Sequence, residues 1–184
     1  MLPDDCPRPR FRSVSLYNDA LGKLSFWRPT EWHLEEDSGP APAVTLWPRP
    51  DDPLTMIRVE VRDLLQPLAD GEEQVLLDGI REGLVSLDDC QVLTWRQLEE
   101  DEIGDWGVEY LCRLRLDDSL CERQARMFIC GQDFYTVTFQ GSSHTQFEYW
   151  KGMFEFVMLT VAAVNFSVPD WFVDQTAADG ETIV

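Results

Sequence analysis

The sequence predicts an α+β domain built on an antiparallel sheet of about six to eight strands, with both faces of that sheet covered. Three observations carry the prediction. The apolar period is two at the start, becomes helical once in the middle, returns to two, and becomes helical again near the end. Several strands set two large apolar residues side by side, Tyr110 with Leu111, Phe128 with Ile129 and Phe134 with Tyr135, and neighbours in a strand point to opposite faces. Hydrophobic residues make up 44% of the 184 positions, with 7 Trp, 10 Phe and 4 Tyr, enough for a packed core without disulfide staples.

The elements follow in order. Residues 1–14, rich in Pro and Arg, read as an arm; 15–166 as one domain; 167–184 as a tail. "GKLSFWRPTEWHLEED" alternates Leu24 and Phe26 with polar residues, breaks at Arg28-Pro29-Thr30 and resumes with Trp32 and Leu34, the pattern of a β-hairpin. "VTLW" adds a strand between turn-rich stretches, and "LTMIRVEVRD" sets Ile57, Val59 and Val61 against Arg58, Glu60 and Arg62. In "ADGEEQVLLDGIREGLVSL", Leu76, Leu77, Ile80, Leu84 and Leu87 recur at helical spacing. Asp70 and Glu73 form a capping-box-like start, and Gly79 and Gly83 are placed for close packing on the sheet. Three or four strands then form a meander, turned at Gly104, at Asp117-Asp118-Ser119 and at Gly131-Gln132. A last helix, capped by Ser143 with Gln146, lines up Phe147, Trp150, Phe154, Val157, Val161 and Val164 and runs towards Phe166. Phe156, Leu159, Ala163 and Phe166 lie off that stripe, within reach of Trp171 and Phe172 of the tail.

The charge balance narrows the partners. There are 34 Asp and Glu against 15 Lys and Arg, a net charge of −19. Nucleic acids and anionic membranes select for clustered Lys and Arg, so a protein with a basic surface is the expected partner. Only Lys23 and Lys151 are lysines, the bias of a GC-rich coding genome. The N-terminal residues contain no signal-like apolar run, the stretch 147–166 is interrupted by Glu148, Lys151 and Glu155, and the five cysteines suit reduced thiols. The expected location is the cytoplasm, with no membrane span.

The opening "GKLSFWRPTEW" resembles the first motif of the PsbP-like and DcrB-like superfamily. Arg58 to Asp63 followed by a helix, Ile103-Gly104 to Tyr110, and "RMFICGQDFYTVTF" followed by the last helix are similar to its later elements in the same order. The resemblance covers about residues 16 to 166. It implies an α/β/α sandwich around an antiparallel sheet, with helices on both faces and no shared active site. Members include a photosystem-associated subunit, a Ran-binding factor, the envelope protein DcrB and chaperones of type VI secretion effectors. Their shared activity is binding other proteins.

The chemistry-bearing residues are sparse. His33 and His144 are the only histidines: the first lies in a strand two residues from Glu35, the second beside the Ser143 cap, and no catalytic triad can be assembled around either. Neither C-x-x-C, H-E-x-x-H, an EF-hand loop nor a phosphate-binding glycine pattern occurs, so no metal or cofactor is expected. Cys112, Cys121 and Cys130 recur every nine residues, but strand parity sends Cys121 and Cys130 to opposite faces, which reads as core packing. The distinctive exposed stretch is "LEEDEIGDW". Glu99, Glu100, Asp101, Glu102 and Trp106, with Trp47 elsewhere, are the candidate partner contacts, although a solvated turn with an inward Trp explains the same residues. The expected function is a non-enzymatic, acidic, protein-binding or chaperone-like module. The alternative is a carrier of a small apolar ligand between the sheet and the C-terminal helix; an enzyme of unrecognised type has less support.

Overall fold

The computed structural model describes residues 9, 12–37, 39, 41–69, 71–98 and 105–161. In chain order these form β1 (Val14–Asn18), β2 (Ser25–Pro29), β3 (His33–Glu36), β4 (Ala43–Trp47), β5 (Met56–Asp63), α1 (Glu72–Val85), β6 (Gln91–Leu98), β7 (Trp106–Leu116), β8 (Ser119–Cys130), β9 (Asp133–Gly141) and α2 (His144–Thr160). Seven strands make one antiparallel sheet in the order β3-β4-β5-β9-β8-β7-β6, and β1 and β2 pair separately.

The paired apolar neighbours in the sequence find their explanation in the two faces. On one face Phe128, Tyr135, Val137 and Phe139 join Val44, Leu46, Ile57, Val59 and Val61 under Phe147, Phe154 and Val157 of α2. Tyr17, Leu24, Phe26 and Trp32 from the β1–β2 region complete that core. On the other face Tyr110, Cys112, Leu114, Cys121 and Ala125 pack with Leu84 of α1, and Val108, Trp106 and Ile129 with Leu77. Each neighbouring pair is thus split between two cores, and the arrangement is an α+β fold with a helix against each face. The alternating strand β5 behaves differently: its inward residues are sealed, while Arg58 on the outer face donates to Thr45 Oγ1 (3.0 Å) and Asp37 Oδ2 (2.5 Å), forming a polar layer.

Of the three turns expected in the meander, Gly104 lies outside the described residues, and the other two form as the local chemistry demands. Asp117 and Asp118 take positive φ of 45° and 64°, the twist a two-residue hairpin requires, and Gly131 does so with φ 63°. The Ser143 cap also forms, its Oγ accepting from the Gln146 amide at 3.2 Å.

Four expectations are corrected. The Leu24–Leu34 stretch is not a hairpin: β2 pairs with β1, Tyr17 opposite Phe26, while β3 pairs with β4. Alternation fixes which side chains face the core but not which strand lies alongside, and Leu24, Phe26 and Trp32 do enter one core. Strand β1 begins at Val14, the last residue of the stretch read as an arm. Helix α1 starts after Gly71, which has φ 89° and carries no side-chain cap; Glu72 Oε2 accepts from the Ala69 amide instead, at 2.9 Å, and Asp70 lies outside the described residues. Gly79 and Gly83 do not pack on the sheet, because a Cβ at either would meet nothing within 4 Å. The close glycine approach is at Gly141, where a Cβ would overlap the Phe147 backbone at the start of α2. Helix α2 ends at Thr160, with Val161 extended; Val164, Phe166 and the tail lie outside the described residues.

Candidate functional site

Strand β6 is last in the sheet order, so among the described residues one side of its backbone faces no further strand. Its pairing with β7 shifts between Val92 and Thr94, a bulge at Leu93. The bulge has a steric consequence. Val92 sits opposite Cys112 and Trp95 opposite Tyr110, so two β6 residues three apart both point to the α1 side. With Arg81, Leu84, Val85 and Cys90 they line an open groove of about 500 Å³ between α1 and the sheet edge.

This groove is apolar and accessible. Val85 is 85% exposed and Val92 44% exposed, although both are large aliphatic side chains. Trp95 forms the floor, stacked on Tyr110 with ring centroids 6.0 Å apart, and the Arg81 guanidinium lies 5.1 Å from the Trp95 ring centroid. Cys90 brings a thiol to the wall. Its neighbour Cys112 has its own thiol pushed up to about 12, first by burial and then by Cys90. A thiol held protonated in this way is no nucleophile.

The residues singled out from sequence are distributed differently. Glu99, Glu100, Asp101 and Glu102 lie outside the described residues. Trp106 turns inward, 6% exposed, against Leu77 and Ile129, and its Nε1 has no acceptor among the described residues; it offers no surface to a partner. Trp47 is half-buried, its Nε1 donating to the Pro53 carbonyl at 3.1 Å, and the His33 ring of the adjacent strand lies against it, tilted by 31° with centroids 5.3 Å apart. Cys112 and Cys121 share the α1-side core without being directly opposed, since Cys121 faces Leu114, and Cys130 packs on the other core, as strand parity requires.

A second constellation was invisible to motif reading. Glu122 of β8, with only 4% of its side chain exposed, sits between Arg113 (Nε to Oε2, 2.9 Å) and His144 (Nδ1 to Oε2, 3.0 Å). A buried carboxylate requires such partners. Pairing of Glu122 with Gly141 places it beside the turn that starts α2. Nearby, Arg126 donates to Glu109 through Nε and Nη2 at 2.9 and 2.7 Å. No short motif links residues 113, 122 and 144; only the sheet register does.

The space expected beneath the C-terminal helix is filled. Phe139, Phe147 and Phe154 stack with centroids 4.7 to 5.0 Å apart and are sealed from solvent. The groove lies on the opposite face of the sheet.

Solved structures share this overall fold. The cyanobacterial PsbP protein CyanoP from Synechocystis sp. PCC 6803 aligns with a TM-score of 0.58 at 13% identity, over 86% of this chain and 97% of that one. The fold is PsbP-like. Protein PA94 of unknown function from Pseudomonas aeruginosa aligns with a TM-score of 0.50 at 12% identity, over 81% of this chain and 96% of that one. LpqN from Mycobacterium tuberculosis, involved in cell envelope biogenesis, gives 0.50 at 9% identity, over 79% and 87%. No family model matches the chain, and no curated protein does. At these identities the PsbP-like likeness concerns architecture alone. Among the described residues no helix is long and apolar enough to cross a membrane.

Proposed function

We propose that this PsbP-like chain is a non-enzymatic protein-binding module that takes up an extended apolar segment of a basic partner along β6 and into the α1–β6 groove. One observation carries the reading: β6, the last strand of the sheet among the described residues, lies beside exposed Val85 and Val92 and the Trp95 floor. An added strand would supply the hydrogen bonds, and its alternate side chains would enter the groove. The net charge of −19 and the acidic run that follows Leu98 in sequence favour Lys and Arg flanking that segment. Non-enzymatic character is supported by Cys112, Cys121 and Cys130 and by Tyr17, Tyr110 and Tyr135, which burial keeps in their protonated forms. Free Cys90, Cys112, Cys121 and Cys130 suit a reducing compartment such as the cytoplasm.

The test is capture from the source cells with wild type, with Val92→Glu, and with charge reversal of residues 99–102. A captured partner's segment, made as a peptide, is then titrated against the tryptophan fluorescence of wild type and of Trp95→Phe while hydrogen exchange is followed on β6. Loss of the partner in Val92→Glu, together with slowed exchange in β6 on peptide binding, supports the reading. A captured set unchanged by Val92→Glu defeats it. A second reading, a small apolar ligand in the same groove, is favoured by a volume within the range of small-molecule sites. Solvent extraction and mass spectrometry of the purified protein distinguish the two.

A further inference from the structure

We propose that Glu122, His144 and Glu148 form a binding site for a first-row divalent cation of the zinc type, independent of the groove and of any protein partner. The three residues offer one imidazole nitrogen and two carboxylates, with donor atoms all within 4.8 Å of one another. His144 and Glu148 stand one turn apart on α2, an i, i+4 pair that faces the same way, and Glu122 reaches them from β8.

The spacing suits a metal. Ligand bonds of roughly 2.1 Å meeting at angles between roughly 90° and 110° put neighbouring donors about 3.0–3.4 Å apart. Glu122 Oε2 and His144 Nδ1 are 3.0 Å apart, so one ion can be reached from both with little movement. Glu122 is the fixed member, buried and oriented by Arg113 Nε, as an outer partner holds a ligating carboxylate. His144, with 59% of its side chain exposed, and exposed Glu148 leave the site open to ions and to water ligands.

The charges also permit it. Two carboxylates face one guanidinium, Arg113, so a negative charge remains even with neutral imidazole. The N-terminal end of α2 and Arg113 both oppose a cation, and the second carboxylate offsets them. Binding through Nδ1 requires a neutral His144 with its proton on Nε2: an imidazolium releases its Nδ1 proton to solvent as the metal–nitrogen bond forms, whereas the neutral Nδ1–H tautomer transfers that proton to Nε2 with no net release. One imidazole with two carboxylates selects borderline ions over calcium, which takes six to eight oxygens, and over magnesium. The bound ion would join β8 to the start of α2.

The experiment is calorimetric titration of chelator-treated full-length protein with zinc chloride, in millimolar magnesium to occupy diffuse acidic sites. It is run on wild type, His144→Ala and Glu148→Gln, both changes lying on the exposed side. One zinc per chain in wild type, at least tenfold weaker in each variant, is the expected result. A nitrogen-detected imidazole spectrum, in which His144 Nδ1 shifts on adding zinc while Nε2 stays protonated, confirms ligation by a route that a folding defect does not reach. Equal affinity in all three proteins, or an unmoved His144 Nδ1 resonance, overturns the proposal.

Discussion

At the residue scale the glycines separate what spacing can show from what it cannot. Gly79 and Gly83 are exposed in α1 with open space where a side chain would point. Alanine there removes freedom from the unfolded chain and adds helix propensity, so Gly79→Ala and Gly83→Ala should each stabilise by about 0.5–1 kcal/mol. Gly141 is the opposite case: its missing Cβ makes room for the Phe147 backbone, so Gly141→Ala should destabilise by about 1–3 kcal/mol. Urea midpoints for the three variants check both signs. From sequence the helical pair looked like the packing glycines, because a spacing of four places them on one face without saying which face meets the sheet. Gly141 gave no signal, since its role depends on a chain that passes behind it. The candidate site shared this limit. The groove needs the Leu93 bulge to bring Val92 and Trp95 to one side, and a bulge is set by the partner strand β7, not by alternation within β6.

At the element scale the most legible parts are those whose stabilisation is local. The last helix was visible because its cap and its apolar stripe are both written within one segment. Ser143→Ala should cost about 1 kcal/mol through loss of the Gln146 bond. Phe154→Ala, which empties a fully buried position between Phe139 and Trp32, should cost about 3–5 kcal/mol. Leu159→Ala, at an exposed site of the same helix, should change little. Thermal unfolding of the three would show whether α2 is held by one face. The meander β6 to β9 was legible for a similar reason, since short turns force neighbours together. The pairing of β5 with β9 was not, because β9 reaches β5 across about 70 residues of intervening chain and only the core they share selects it.

At the scale of the whole molecule, burial and surface charge set opposite limits on pH. Asp37, Asp51 and Asp63 are held below the ordinary carboxylate value, the first two chiefly by Arg58 and Arg49 and the third by the Leu65 amide. Their stabilisation is present above the unfolded value of 3.8 and is lost as pH falls, but all three are largely exposed, so the loss is screened and small. Acid also reduces a self-repulsion that comes from 19 excess negative charges. The alkaline side differs. Burial lifts Cys112 from 9.0 and Tyr110 from 10.0, both to about 12, and raises Cys121 and Cys130 as well. Between those limits the unfolded chain gives up protons that the native state retains, so the unfolded state binds fewer and stability falls as pH rises. The stabilisation is complete below the unfolded thiol value and declines through the folded one, while added negative charge deepens the repulsion. Stability measured by urea should therefore be nearly flat on the acid side of neutrality and fall steeply above about pH 9. Cys112→Ala should make that alkaline slope shallower by up to about one proton, even though the substitution itself weakens the core. An alkaline slope unchanged in Cys112→Ala would mean that the buried thiol plays no part in it.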